Sequence, residues 1–232
     1  MRERDDRWLQ AAATKGGAES GAADGTRRAL IDAATAVFVE QGYAGARVRD
    51  IAARAQANVA AINYHFGGKQ RLYLAVLREQ AGARIERFPL PVASDADVDE
   101  QTLRDAIAMV LSRFLAGDER AAVPKLLMRE LLAPTSALEM LVSEIALPQF
   151  RHLATIVAAL LGPAADPETV LRCTLSIVSQ CMFYLFARPL VEQLAPHSYA
   201  DGAERQLAEH IARFSLAALR QRRAELEGKA DD

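Results

Sequence analysis

Residues 48–66 constrain this chain more than any other stretch, because their pattern fits two short helices joined by a tight turn. Val48, Ile51, Ala52 and Ala55 fall at i, i+3, i+4 and i+7, which gives the first helix one apolar face. Asn58 then offers a side-chain oxygen to the free backbone N–H groups of a second helix. In that helix Ile62 and Phe66 lie four apart and share a buried face. At about 100° per residue, Ala60, Ala61, Asn63 and Tyr64 point the other way. This outward face is small, uncharged and partly polar. It lets a helix backbone approach base edges in a DNA major groove, with Asn63 and Tyr64 supplying hydrogen bonds. The reading is a helix-turn-helix, and nothing else in the chain carries chemistry of comparable specificity.

Net charge alone argues against a nucleic-acid partner, since the whole chain carries −2. The distribution argues the other way. Residues 26–80 hold eight Lys/Arg against four Asp/Glu, a net +4 that leaves −6 on the remainder. A basic end on an acidic body suits a protein that presents one pole to phosphate. Chance is the competing explanation for a window this short.

The chain's 232 residues allow one or two domains with a sizeable core, and an apolar fraction of 51% suits a helical protein rather than a disordered one. No run of about 18 apolar residues occurs, so no membrane span is expected. The N-terminus, Met-Arg-Glu-Arg-Asp-Asp-Arg-Trp, has no apolar stretch behind its charges and does not read as a secretory signal. Cys173 and Cys181 are the only cysteines. On one helix they lie about 12 Å apart along the axis, too far to bridge, so a reduced, cytoplasmic protein is expected.

The pattern is helical throughout. Residues 1–25, rich in Ala, Gly and charge, read as a disordered tail whose acids cancel its bases. A first helix is expected over 26–41, with Leu30, Ala34, Val37, Phe38 and Gln41 on one face and Gly42 as its stop. Gly67-Gly68 breaks the second helix of the motif, and a longer helix follows over 69–88, closing a DNA-binding domain at 26–88. Pro89, Pro91 and the acidic run 95–100 read as a linker. A C-terminal helical domain then spans 97–224. Its helices cover 103–114, 125–132 and 138–161, with Pro148 as a break in the last of these. Asp166-Pro167-Glu168 supplies an N-cap, a proline in the first turn and an acid at the positive helix end. It opens a helix to about 187 that is apolar on nearly every side in its middle. A last helix covers 203–223. There is no internal repeat.

At 26–80 the chain resembles the N-terminal DNA-binding domain of TetR-family transcriptional regulators. Ala-Ile-Asn-Tyr-His-Phe-Gly-Gly-Lys at 61–69 looks like the end of the family's recognition helix and the lysine that opens the next helix. The wording Ala-Ile-Asn-Tyr-His-Phe resembles the CecR-like branch more than most others. Two positions depart from the family's habit. The turn reads Ala-Gln-Ala-Asn where many members have Ala-Gly-Val-Ser, so Gln56 is expected in a left-handed conformation that glycine takes more cheaply. Position 47 is Arg where Ser or Thr is common.

The resemblance implies an all-α fold, a three-helix DNA-binding domain followed by a bundle that dimerises and binds a small effector. It implies base contacts from the first half of the recognition helix, here Val59, Ala60, Ala61 and Asn63, behind the cap Asn58. It places phosphate contacts at Tyr64, His65 and Lys69. The residues agree: Lys69 lies just past the helix end and Arg47 just before the motif, where both reach flanking phosphates. The last two helices, about 167–187 and 203–223, are implied to pair across a homodimer. The over-apolar surface of the first of these, 167–187, fits that role, since a helix apolar all round must be buried somewhere.

For an effector, Met128, Phe150, Met182, Phe183 and Phe186 are large and apolar, and Arg129, Glu130, His152, Gln180 and Tyr184 are polar groups able to orient a small hydrophobic molecule. The alternative is that these residues are core and solvated surface. No pair among His65, His152, His197 and His210 has metal-ligand spacing, so neither metal nor cofactor is expected. No nucleophile elbow, phosphate loop or His-Glu helix pair occurs, and a thiol in an apolar helix is unreactive, so an enzyme is not expected. The expectation is a regulator, in the sense of a repressor, that binds double-stranded operator DNA and is released by its effector. The rivals are a helical small-molecule-binding or partner-docking protein without specific DNA recognition, and, third, an enzyme with a site across the bundle.

Overall fold

The computed structural model describes residues 6–91, 98–115, 122–200 and 202–230, and all the regular structure among them is helical. Two compact units divide the chain, 1–79 and 80–232. The division falls inside a helix rather than at the Pro-rich linker.

The first unit holds α1 (Asp6–Gly45), α2 (Val48–Arg54), α3 (Val59–Phe66) and the start of α4 (Lys69–Arg87). The long α1 begins at Asp6, so most of the stretch expected as a disordered tail is helical backbone. Its alanines are strong helix formers and extend a helix that the following turns nucleate. Gly42 does interrupt α1, with φ 72° and ψ 173°, before a last turn resumes. Leu30, Ile31, Ala34, Val37 and Phe38 form its buried stripe, whereas Gln41 is exposed. Ile51 and Ala52 of α2, Ile62 and Phe66 of α3, and Leu72, Tyr73 and Val76 of α4 fill the rest of this core. Each large side chain buried here contributes about 1.5–3 kcal/mol. Phe38, Tyr43 and Tyr73 form an aromatic cluster, with Phe38 and Tyr73 edge to face at 4.7 Å between centroids. That is a favoured geometry for two rings.

The second unit comprises α5 (Glu100–Leu115), α6 (Ala122–Leu132), α7 (Ala137–Met140), a π-helical turn (Leu141–Ala146), α8 (Leu147–Leu161), α9 (Pro167–Phe186), α10 (Arg188–Leu194), a 3₁₀ turn (Pro196–Tyr199) and α11 (Ala203–Ala230). Four helices build its core: Leu103, Ile107 and Leu111 from α5, Leu153, Ile156 and Val157 from α8, Ile177 and Cys181 from α9, and Ile211, Leu216 and Leu219 from α11. Pro148 does not break the run as expected. The π turn ends just before it, so the proline falls in the first turn of α8, where its missing N–H costs no hydrogen bond. The Asp166 start is as the sequence suggests. Its carboxylate accepts from the Thr169 N–H at 3.0 Å and from the Thr169 hydroxyl at 2.7 Å. These bonds, the hydroxyl's above all, hold the Asp166 carboxyl below its ordinary value. The short α10 and the 3₁₀ turn go beyond what the sequence pattern offers.

Among the described residues α9 is long and apolar enough, by length and composition, to cross a membrane. That differs from the sequence expectation, because the criterion tolerates the scattered Glu168, Arg172 and Gln180. Thr174, Ile177 and Cys181 face the core, and Leu171, Leu175 and Phe183 are exposed. Burial pushes the Cys181 thiol up to about 12 and Cys173 in the same direction, so both are poor nucleophiles.

Candidate nucleic-acid interface

The cap of α3 is built as its sequence suggests. Asn58 is extended, at φ −77° and ψ 145°, and its Oδ1 accepts from the Ala60 N–H at 2.9 Å. Gly67 closes the helix in the left-handed region, at φ 72° and ψ 22°, and its N–H donates to the Asn63 carbonyl at 2.9 Å. Its positive φ favours glycine there, and a Cβ would lie 3.1 Å from Nη1 of the exposed Arg71 side chain, which can shift. Between these caps Ile62 and Phe66 anchor the inner face. Val59, Ala60, Asn63 and Tyr64 are exposed, Tyr64 at 83%, and Ala61 and His65 are half-buried. An exposed phenol on an anchored helix is free to meet a partner. The Tyr64 and His65 rings meet edge to face at 5.0 Å.

The turn before α3 carries the strain the sequence implies. Gln56 has φ 52°, the one positive φ outside glycine among the described residues. A left-handed residue with a Cβ costs about 1–2 kcal/mol, and glycine returns part of that in unfolded-state entropy. Gln56→Gly should therefore raise stability by about 0.5–1 kcal/mol, seen as a higher midpoint in urea with unchanged slope. An unchanged or lower midpoint would mean that the turn is not strained.

Cations surround α3. Arg47 has the extended backbone of an N-cap, at φ −109° and ψ 135°, but its side chain makes no cap bond, which a Ser or Thr there would supply. It is exposed, as are Arg49 and Arg71. Lys69 is fixed rather than free. Its Nζ lies 4.7 Å from the centroid of the Tyr43 ring and 3.5 Å from the Ala44 carbonyl oxygen, and partial burial lowers its pKa. Arg27 lies 5.5 Å from the centroid of the Phe66 ring. These ring contacts escape sequence reasoning because they join residues far apart in the chain. Arg28 and Arg54 are engaged by Glu79 and Glu40, at 3.0 and 2.9 Å.

The effector candidates lie on several helices of the second unit. Met128 is half-buried and Arg129 exposed on α6, whereas Glu130 is 1% exposed rather than facing water. Its carboxylate accepts from the N–H and hydroxyl of Thr135, which secures the turn after α6. Phe150 is half-buried on α8. His152 Nε2 lies 2.7 Å from the Pro91 carbonyl oxygen. Gln180 donates to the Ser176 carbonyl at 3.2 Å and to the Ser215 hydroxyl at 3.4 Å. Phe183 is half-exposed. Tyr184 lines an open cavity of about 280 Å³ with His197, Ser198, Gln206 and Leu207. Among the described residues no three His, Cys, Asp or Glu side chains are grouped to hold a metal ion.

Comparison with known proteins assigns these two units. Residues 30–76 match the model of the bacterial regulatory proteins of the tetR family, and residues 99–219 match the C-terminal domain of the HTH-type transcriptional dual regulator CecR. The chain is 30% identical to CecR of Shigella flexneri, across 71% of this chain and 78% of that protein. It is 31% identical to the HTH-type transcriptional repressor NicS of Pseudomonas putida, over 45% of this chain and 49% of NicS. In fold it is similar to FadR of Bacillus subtilis, whose structure is a complex with stearoyl-CoA. There the identity is 20%, the TM-score 0.61, and the match covers 82% of this chain and 97% of that one. FadR of Bacillus halodurans matches with a TM-score of 0.62 at 18% identity, over 84% and 96% of the two chains. With an anchored, capped helix whose outer face is exposed in the first unit and a second unit that matches the CecR C-terminal domain, the chain belongs to the CecR branch of the TetR family and is a DNA-binding transcriptional regulator.

Proposed function

We propose that the protein works in the cytoplasm as a homodimeric repressor that grips two operator half-sites and lets go when a small molecule enters its C-terminal domain. The observation that carries the DNA part is α3 itself: Ile62 and Phe66 are buried, and an uncharged face of Ala60, Asn63 and Tyr64 is left to solvent. Ala60 and Ala61 admit close approach. Val59 and Asn63 reach base edges, with Asn63 both donating and accepting, and Asn58 sets the angle of the helix by capping it. Arg47, Tyr64, His65 and Lys69 contact phosphate.

A single recognition helix buries too little area for tight specific binding, so two copies are needed. Leu171, Leu175 and Phe183 on α9 and Phe214 on α11 are large, apolar and exposed, a surface that a second copy of the chain would cover. The effector part draws on FadR of Bacillus subtilis, whose C-terminal fold this chain shares and whose structure is a complex with stearoyl-CoA. A ligand that binds better to a subunit arrangement unsuited to DNA must weaken DNA binding, and operator DNA must weaken the ligand by the same factor.

The test is salt-dependent binding. Wild-type affinity for a specific site should fall steeply with salt. Lys69→Ala should weaken binding to all sequences alike and flatten the log–log salt slope by about one unit, since one phosphate contact is lost. An unchanged slope would remove Lys69 from the phosphate contacts. No preference for any sequence would favour a helical effector-binding protein without specific recognition.

A further inference from the structure

Arg113 stands near the end of α5 and is 6% exposed. Its Nε donates to the Phe88 carbonyl at 2.8 Å, and its Nη1 donates to Gln149 Oε1 at 3.0 Å. Its Nη2 is buried and donates to nothing. Both partners are neutral, and among the described residues no carboxylate pairs with it. Burial lowers the Arg113 pKa, but a guanidinium stays charged at neutral pH. One turn along α8 from Gln149, His152 bonds the Pro91 carbonyl. Arg113 and His152 thus hold the 88–91 segment through the Phe88 and Pro91 carbonyls, and Gln149 accepts from Arg113. The other buried side chains of α5, Leu103, Ala106, Ile107 and Leu111, are apolar.

Interiors do not keep an uncompensated cation without cause, because burying a charge is unfavourable unless it is paired. A buried donor without an acceptor likewise calls for an explanation. The structural work of tying down the 88–91 segment uses Nε and Nη1 and leaves Nη2 unexplained. One unpartnered guanidinium N–H edge matches the acceptor of a monoanion such as a carboxylate, whereas a phosphate dianion asks for more donors than are present.

We propose that Arg113, through its Nη2, is the head-group donor for an amphiphilic carboxylate effector. A carboxylate oxygen accepts from Nη2, and the apolar part of the molecule lies among side chains of the bundle. The inference rests on the effector reading of the C-terminal domain and narrows it to acids.

The test uses the full chain and two probes matched in length, decanoate and its neutral counterpart decanamide, in calorimetric titrations. A charge-assisted hydrogen bond in a buried site should favour decanoate by about ten- to a hundredfold. Arg113→Met should remove that preference. Because this substitution alters a buried position and can unfold the domain, the comparison of acid with amide on the native protein stands by itself. Gln149→Leu, which frees Nη1 but keeps the cation, should retain the preference for the acid. Equal binding of acid and amide would overturn the head-group site and leave the effector reading intact. Failure of both to bind would overturn the proposal and count against an effector with an apolar chain.

Discussion

The double variant Leu175→Glu, Phe214→Glu should be a folded monomer that has lost operator affinity by on the order of 10³-fold or more. Both side chains are at least half exposed within one chain, so their replacement removes little from the core of the subunit. In a homodimer the same positions would be covered, and two glutamates from each copy would place four desolvated charges in an apolar seam. Specific binding exceeds non-specific binding by about 10³–10⁷, and a lone recognition helix gives up most of that margin. Sedimentation equilibrium would read the monomer, far-ultraviolet circular dichroism its intact helices, and gel shifts the lost affinity. A variant that remains dimeric would place the interface elsewhere. A monomer with unchanged operator affinity would refute the need for two half-sites.

Asn63→Ala should relax base preference at one position in each half-site, at a cost of about 1–3 kcal/mol for the preferred base. Asn63 is exposed, and its backbone carbonyl, not its side chain, accepts the Gly67 N–H that closes α3. Removing the side chain therefore leaves the helix and its cap intact, and alanine is a better helix former than asparagine. The effect should be confined to sequence. Affinity for unrelated DNA and its salt dependence should stay as in the wild type, the reverse of the pattern expected for Lys69→Ala. A uniform loss across all sequences would mean that Asn63 contacts the backbone of the duplex.

Local devices were the most legible part of the sequence. The Asn58 cap, the Ile62–Phe66 anchor, the Gly67 stop, the left-handed Gln56 and the Asp166 start each depend on residues within a few positions of one another, where spacing and side-chain chemistry decide the outcome. Features set by distant residues were not legible. The Tyr43 ring beneath Lys69 joins positions on either side of the helix-turn-helix. Arg113 is buried by partners on the 88–91 segment and on α8, and nothing in the local pattern of α5 marks it out from an ordinary surface arginine. Pro148 misled in a different way: proline forbids a hydrogen bond, but a π turn placed just before it lets the helical path continue. The effector candidates were chosen by residue type, and type does not say which way a side chain points. Hence Gln180 turns out to bond Ser215, and Phe183 stands half-exposed.

Selection of bound sequences from random double-stranded DNA, carried out in parallel for the wild type and Asn63→Ala, tests the role of α3 most directly. The wild type should enrich an inverted repeat whose half-site centres lie about one helical turn, or a multiple of it, apart. The variant should enrich the same repeat with one position per half-site degenerate. Enrichment of no motif by the wild type, or an identical motif from both proteins, would contradict readout by the outward face of α3.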